Sequence, residues 1–193
     1  MKQIVLFRHG KVDIENNKKI SAFEFKDWIK EYNNCDIVFD KTALKDKEIV
    51  DNADIIICSN LKRSIQSAKI FNKEISISDD IFNEAEMPYA RWSMLKLSPN
   101  MWLIIFRILW FFGYSRNCES YKDIKQRAKK ASSKLIKLSK EHDKIILFGH
   151  GVFNRLILKE MISKGWKNTK KLESKNWGYG ILEIDNKTLE RNI

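Results

Sequence analysis

The sequence predicts an α/β sandwich of three layers, in which a mostly parallel central sheet carries helices on both faces. Three apolar runs rich in β-branched residues support this fold class, at residues 3–7, 54–58 and 144–148. Each has the length of a buried strand and stops abruptly at polar or glycine residues. The second and third runs precede apolar residues at helical spacing, so strands alternate with helices as they do in parallel sheets.

Three weaker patterns predict the remaining elements. Apolar residues recur at steps of three and four between residues 121 and 138, which predicts a long amphipathic helix before the third strand. The alternation at residues 75–77 predicts a further short strand. Residues 180–184 and 188–190 flank an Asp-Asn pair and predict a closing hairpin.

The length and composition predict one soluble domain over residues 1–193. A hydrophobic fraction of 44% and a charged fraction of 32% are typical of globular proteins. Only two prolines and seven glycines occur, which disfavours a disordered linker between two domains.

The formal charge of +11 comes from 36 lysines and arginines against 25 acidic residues. The lysines are scattered along the chain, and arginines do not alternate with aromatic residues as a base-stacking surface requires. We therefore expect no nucleic-acid partner.

The cysteines and the N-terminus predict a cytoplasmic protein. Cys35, Cys58 and Cys118 are far apart and odd in number, so they indicate neither a disulfide framework nor a zinc site. The apolar run before Arg8 is too short for the core of a signal peptide.

Arginine and histidine follow all three predicted strands. Arg8 and His9 come directly after the first, Arg63 lies shortly after the second, and His150 follows the third. Because the carboxyl ends of parallel strands share one edge, these side chains should meet there. A neutral histidine can attack phosphorus, and arginine binds phosphate oxygens in a fork, so the set favours phosphoryl transfer.

Four ordered motifs resemble those of the histidine phosphatase superfamily, the phosphoglycerate-mutase-like proteins. Arg8-His9-Gly10 is similar to its signature, and residues 59–68 to its second arginine motif. Residues 82–84 resemble the segment that carries its proton donor, and residues 149–151 its second histidine motif. The resemblance extends from the first strand to about Leu158 and implies the histidine-phosphatase fold.

This resemblance implies a two-step reaction that needs no metal and no cofactor. His9 would attack the phosphoryl group and become phosphohistidine. Arg8, Arg63 and His150 would bind the phosphoryl oxygens, while Glu84 would protonate the leaving oxygen and then activate water.

The sequence departs from the family pattern around the phosphate loop. Lys11 follows the signature where the family often has an acidic or amide residue, and Asn16 stands offset from the family's loop asparagine. We count Lys11, Asn16 and Ser59 as further substrate-binding candidates. Glu86 is the alternative proton donor, and the preceding apolar residues favour Glu84.

Residues 101–114 form an almost wholly apolar segment, within a cap-like insertion around residues 87–117. The segment is too short to span a bilayer, which takes about 20 residues. We expect a lid over the pocket or a homodimer contact, with attachment to a membrane surface as the less favoured alternative.

The leading functional hypothesis is a phosphatase that acts on a small phosphorylated metabolite. Alternatives with the same chemistry are a phosphoprotein phosphatase and a mutase-type phosphoryl transferase. A domain that only binds a phosphorylated ligand is the alternative from another class. It is disfavoured because binding alone requires neither an in-line nucleophile nor an acid.

Overall fold

The computed structural model describes residues 1–191, except the side chains at positions 42, 43, 190 and 191. The strands are β1 (Lys2–Arg8), β2 (Ile20–Ser21), β3 (Ile55–Cys58), β4 (Ile77–Ser78), β5 (Lys96–Leu97), β6 (Lys144–Gly149), β7 (Lys167–Lys170) and β8 (Tyr179–Ile184). The α-helices are α1 (Phe25–Asn34), α2 (Lys47–Asp51), α3 (Lys62–Lys69), α4 (Pro99–Phe111), α5 (Tyr121–Leu138), α6 (Gly151–Ser163) and α7 (Asn186–Arg191). Short 3₁₀ helices occupy Lys41–Asp46 and Asp80–Phe82.

The central sheet has the strand order β4-β3-β6-β1-β8-β7. The four strands from β4 to β1 are parallel, and β8 and β7 are antiparallel to their neighbours. The predicted mostly parallel sheet is confirmed. Its centre is β6, which pairs with β1 on one side and β3 on the other, so the three predicted apolar strands are adjacent.

The two faces of the sheet are covered by different helices, as the alternation of side chains along a strand requires. Ile4 and Leu6 of β1 face a cluster that contains the apolar sides of α5 and α6. Val5 and Phe7 face the opposite cluster, which α2 and α3 help to close. The central strands are apolar on both faces because both faces are buried.

The predicted closing hairpin is wrong in its second half. β8 is present, but residues 186–191 form α7 instead of a returning strand. Asp185 accepts hydrogen bonds from the Thr188 backbone N–H (2.8 Å) and hydroxyl (2.7 Å), so it begins the helix in the manner of an N-cap. The antiparallel partners of β8 are instead β1 and β7.

A smaller apolar cluster lies beside the sheet and joins α1 to α4. Phe25 and Trp28 of α1 are buried with Trp102 and Phe106 of α4, and the Phe25 and Phe106 rings stack with centroids 5.3 Å apart. The short strands β2 and β5 pair next to it. None of the helices within residues 1–191 has both the length and the apolarity needed to cross a membrane.

The buried Asn154 side chain joins α6 to the end of β1, because its Nδ2 donates to the Phe7 carbonyl oxygen at 2.9 Å. We predict that Asn154→Ala lowers the free energy of unfolding by about 1 to 3 kcal/mol, since it removes a buried hydrogen bond between α6 and β1 and leaves a small cavity. Urea denaturation measures this change. The exposed Asn100 supplies the matched control Asn100→Ala, and equal small effects in both variants would contradict the assignment.

Candidate active site

Two histidines face each other at the edge where the parallel strands end. His9 follows β1 and His150 follows β6, and their ring centroids are 5.1 Å apart. The register pairs Arg8 with Gly149, so the two histidines continue neighbouring strands at the same level. Both rings are buried. The sheet therefore brings the predicted nucleophile and the predicted second histidine together.

Contacts around the His9 ring determine its protonation. Nδ1 lies 2.7 Å from the Gly10 carbonyl oxygen. A carbonyl oxygen only accepts, so Nδ1 carries the ring proton and the neutral ring keeps its lone pair on Nε2. The pKa of His9 lies well below its ordinary value of 6.5, first because the ring is buried and then because of the positive charges of Arg63 and Arg8. His9 is therefore a neutral base with a free Nε2 at neutral pH.

The backbone around His9 is fixed by residues from distant parts of the chain. Its N–H donates to the Gly149 carbonyl at 3.0 Å, and its carbonyl accepts from Asn176 Nδ2 at 2.9 Å. A side chain at Gly10 would meet the Trp177 ring at 2.4 Å, so only glycine fits there. Sequence reasoning missed Asn176 and Trp177, because they lie some 170 residues from His9 with no motif to mark them.

Arg63 is buried although it carries a charge. It is only 4% exposed, donates from Nη1 to Asn33 Oδ1 at 2.7 Å, and stacks over the Tyr32 ring at 5.0 Å. Burial is the main cause that lowers the pKa of its guanidinium. Among the described residues it has no ion pair with a carboxylate. Burying a positive charge without a carboxylate partner is costly, which favours the interpretation that Arg63 binds an anionic ligand.

Ser59 contacts His150 and is closed off from the cavity. The hydroxyl of this fully buried residue lies 2.7 Å from His150 Nε2 and also accepts from the Leu61 N–H at 3.3 Å. Its own proton is therefore available to Nε2, which leaves the ring proton of His150 on Nδ1. Burial, followed by the charge of Arg63, holds the pKa of His150 well below its ordinary value. The geometry gives Ser59 an orienting position in place of the substrate contact that the sequence suggested.

Three buried nitrogens of the predicted set have no hydrogen-bond partner within the described part of the chain. They are Arg8 Nε, Arg63 Nε and His150 Nδ1. Arg8 is further anchored by a hydrogen bond from Nη1 to the Ser174 carbonyl. Buried donors are almost always paired, so three unpaired ones on neighbouring side chains require an explanation. A tetrahedral anion carries several acceptor oxygens of the kind that such donors bind.

Glu84 lines the cavity and is bound to the start of α6. Its Oε1 accepts from the backbone N–H groups of Phe153 (2.9 Å) and Ala85 (2.9 Å), and its Oε2 accepts from Val152 (3.1 Å). This helix begins directly after His150, so one set of hydrogen bonds fixes the carboxylate relative to the second histidine. Each carboxylate oxygen has two acceptor sites. Oε2 therefore keeps one free, while both sites of Oε1 are used.

Two arginines hold the loop that carries Glu84. Arg127 donates to the carbonyl oxygens of Ile81 (3.0 Å), Asn83 (2.7 Å) and Glu84 (3.4 Å), and it pairs with Glu119 at 2.7 Å. Sequence reasoning missed Arg127, because it looks like one more cation on a solvated face of α5. One sequence signal could have identified it: Arg127 is the single arginine of α5, and the other basic residues of that helix are lysines.

Arg107 of α4 holds the next residues of the same loop. It donates to the carbonyl oxygens of Ala85 (3.1 Å) and Glu86 (3.4 Å). The exposed Glu86 side chain accepts from the Glu119 N–H at 2.9 Å. Both glutamates line the cavity, but of the two only Glu84 contacts the helix that starts directly after His150.

A cavity of about 790 Å³ opens in front of these groups. Arg8, His9, Arg63 and Glu84 line it, together with Leu103 and Arg107 of α4. Most of the further lining residues come from α1 and from the loops on either side of α4, and the others come from the start of α3, the second 3₁₀ helix and α5: Lys26, Ile29, Lys30, Tyr32, Asn33, Leu61, Asp80, Asn83, Ala85, Glu86, Met87, Tyr89, Asn117, Glu119 and Arg127.

Four predicted residues are not among the lining residues: His150 and Ser59, which are buried behind them, and Lys11 and Asn16. Lys11 is exposed, and Asn16 is half-buried with its Nδ2 on the Ile14 carbonyl at 3.3 Å. The geometry therefore gives no support to a substrate contact for either. Trp102 and Trp110 are buried, and their indole N–H groups donate hydrogen bonds to backbone carbonyl oxygens. The residues of α4 that line the cavity are Leu103 and Arg107.

Metal ligands do not cluster in the described chain. Within residues 1–191 no group of three or more His, Cys, Asp or Glu side chains is placed to hold a metal ion. The expectation that the reaction needs no metal stays a prediction.

The fold and the facing histidines define an α/β protein with a histidine and arginine site at the carboxyl ends of its parallel strands. The family model of the histidine phosphatase superfamily (branch 1) matches residues 43–191, and the chain belongs to this family. The resemblance seen in the sequence is thereby confirmed. The matched region contains Arg63, Glu84 and His150 and begins after His9. No curated protein matches the sequence significantly.

Solved structures show the same fold over nearly the whole chain. Phosphoserine phosphatase from Entamoeba histolytica is 15% identical, with a TM-score of 0.59 over 97% of this chain and 98% of its own. YhfR from Bacillus stearothermophilus is 16% identical, with a TM-score of 0.61 over 96% and 93%. A mycobacterial glucosyl-3-phosphoglycerate phosphatase is 16% identical, with a TM-score of 0.55 over 93% and 89%.

The lowered pKa values of His9 and His150 predict that acid destabilises the protein. The unfolded chain takes up protons at these residues as the pH falls through 6.5, whereas the folded chain resists them. Stability therefore decreases on acidification, by roughly 1 kcal/mol per histidine between about pH 7.5 and pH 5.5. Urea denaturation at both values measures this change. His9→Gln should reduce the loss, and an unchanged pH dependence in that variant would contradict the assignment.

Proposed function

We propose that this protein is a metal-independent phosphomonoester hydrolase, acting on a small phosphorylated metabolite through a phosphohistidine intermediate. One observation supports the proposal: buried N–H groups of Arg8, Arg63 and His150, which have no partner among the described residues, accompany the neutral His9, whose Nδ1 carries the ring proton. A phosphoryl group supplies acceptors for these donors and an electrophile for Nε2.

In the first step His9 Nε2 attacks phosphorus, and the bond from phosphorus to the leaving oxygen breaks. Glu84 gives its proton to that oxygen, and the free site on Oε2 is where the proton is carried. In the second step Glu84 takes a proton from water as the water oxygen attacks phosphorus. The bond between Nε2 and phosphorus then breaks, which releases phosphate and restores His9.

The positive groups stabilise the negative charge that develops on the phosphoryl oxygens in the transition state of each step. Arg8 and Arg63 remain charged throughout and bind the equatorial oxygens. The Nδ1 proton of His150 adds a third donor, oriented by Ser59 on the opposite side of the ring. Arg107 and Arg127 do not need to touch the substrate, because they fix the loop on which Glu84 stands.

The size of the cavity favours a small substrate. Its volume of about 790 Å³ falls within the range of ligand pockets, and α1 and α4 wall it on two sides. A phosphorylated protein segment would need a more open approach. The structural neighbours include a phosphoserine phosphatase and a glucosyl-3-phosphoglycerate phosphatase, which supports the same choice.

A domain that only binds phospholigands is disfavoured by the state of His9. Binding would not require the hydrogen bond that frees Nε2, nor a carboxylate fixed beside it. No specific observation favours mutase-type transfer. The three free cysteines agree with the cytoplasmic location that is part of this proposal.

The role of His9 is tested by its replacement. His9→Ala should abolish phosphate release from p-nitrophenyl phosphate, whereas His142→Ala, which changes a histidine outside the cavity, should leave it within about twofold. An alkaline quench of the wild-type reaction should trap a phosphoryl group on His9 that acid removes. Turnover in His9→Ala, or activity that EDTA removes and a divalent ion restores, would contradict the mechanism.

The proton donor is tested with two leaving groups. Glu84→Gln should lower kcat at least about a hundredfold for an alkyl phosphate, whose oxygen must be protonated, and far less for p-nitrophenyl phosphate. Glu86→Gln is the matched control and should affect both substrates alike. The opposite pattern, with the leaving-group effect in Glu86→Gln, would assign the role to Glu86.

A further inference from the structure

Helix α4 has two apolar faces, and only one of them is covered. Trp102 and Phe106 form the buried face toward α1, and Trp110 is buried in the main core beside Tyr121 of α5. On the other side Met101, Ile104, Ile108 and Phe111 follow each other at steps of three and four residues, and each is about half exposed. Phe112, directly after the helix, is 87% exposed. We call these five exposed residues the α4 surface.

The α4 surface is continuous along the helix. The spacing of its four helical residues places them within one arc of the helix circumference, over a length of about 15 Å along the axis. Globular proteins normally place polar residues on the outer side of a surface helix. Here the outer side of a 13-residue helix carries Asn100 as its main polar group. Such a stripe indicates an interaction surface.

The segment around α4 contains basic residues but no acidic ones. Between Met87 and Cys118 the chain has no aspartate or glutamate, although it has 25 acidic residues in total. The same stretch contains Arg91, Lys96, Arg107 and Arg116, of which Arg91, Lys96 and Arg116 are exposed. The partner of this region is therefore expected to be negatively charged as well as apolar.

The loop before α4 adds further apolar exposure. Met94 is 99% exposed and Leu95 is 55% exposed. Trp92 lies 53% exposed beside the helix, with its ring centroid 6.2 Å from that of Phe106. Aromatic side chains with one buried and one exposed edge are common where proteins meet the headgroup region of a bilayer.

We propose that the α4 surface binds an anionic lipid bilayer, with α4 lying in the plane of the membrane surface. The apolar stripe enters the boundary between headgroups and acyl chains, and Arg91, Lys96 and Arg116 contact the anionic headgroups. This binding is separate from the reaction at His9, because none of the five residues of the α4 surface lines the cavity.

A second copy of the chain fits the same surface less well. A two-fold interface places the same residues of both copies against each other. The basic residues around the α4 surface would then meet their own counterparts, with no carboxylate in the segment to pair with them. A bilayer with negative headgroups supplies the missing charge.

Sedimentation with vesicles tests the proposal on the full chain. The protein should pellet with vesicles of phosphatidylcholine and phosphatidylglycerol, and at least about tenfold less with phosphatidylcholine alone or in high salt. The double variant Ile104→Gln with Ile108→Gln should bind the anionic vesicles at least about tenfold more weakly, because the apolar contact is lost. Lys96→Glu should weaken binding in the same direction.

Matched controls separate the α4 surface from general charge and folding. Ile162→Gln changes an equally exposed isoleucine on α6, and Lys130→Glu reverses an exposed charge on α5. Both should bind vesicles like the wild type. All variants should keep their melting temperature and their turnover of p-nitrophenyl phosphate.

Three results would overturn the proposal. The first is a protein that stays in the supernatant with both kinds of vesicle. The second is vesicle binding that the double isoleucine variant retains, which would reflect the net charge of the whole chain. The third is a dimer in analytical ultracentrifugation that the double variant converts to monomer without vesicle binding, which would show that a second copy covers the α4 surface.

Discussion

The site depends on positive charge held in a buried place without its own counter-ions. Arg63 is almost fully buried, and neither Arg8 nor Arg63 forms an ion pair with a carboxylate among the described residues. A buried cation is costly unless it is paired, so the surrounding structure must keep these side chains in place against that cost. Burial, together with the positive charges of these arginines, keeps His9 and His150 neutral. The same buried arrangement therefore produces both the unpaired N–H donors and the neutral imidazole of His9.

The order of the strands makes this arrangement possible. β3, β6 and β1 are neighbours, so three segments far apart in the sequence end at one edge with their polar residues in register. α6 starts at that edge and binds the Glu84 carboxylate through its first N–H groups. Arg107 and Arg127 approach the Glu84 loop from α4 and α5. Glu84 is thus positioned by elements on both sides of its loop.

The parts of the fold that rest on local pattern were predictable from the sequence. The three apolar strands and the helix of residues 121–138 are where periodicity put them, and the edge shared by Arg8, His9, Arg63 and His150 follows from parallel pairing. The error at residues 186–191 came from a short segment in which Asp185 can begin a helix or a turn, and the hydrogen bonds to Thr188 decide between them. Contacts across long sequence separations were not predictable. Trp177 against Gly10 and Arg127 on the Glu84 loop belong to this group, because no spacing in one sequence shows which distant side chains meet.

The most direct measurement is the affinity of the resting protein for inorganic phosphate, by isothermal titration calorimetry. If the unpaired N–H groups of Arg8, Arg63 and His150 form an anion site, phosphate should bind the wild type. Arg63→Lys, which keeps the charge and loses the fork, should then bind at least about tenfold more weakly. Arg91→Lys, the same change at an exposed position outside the site, should bind like the wild type. Equal phosphate affinity in all three proteins would contradict the account, because it would show that the buried guanidinium of Arg63 does not bind the anion.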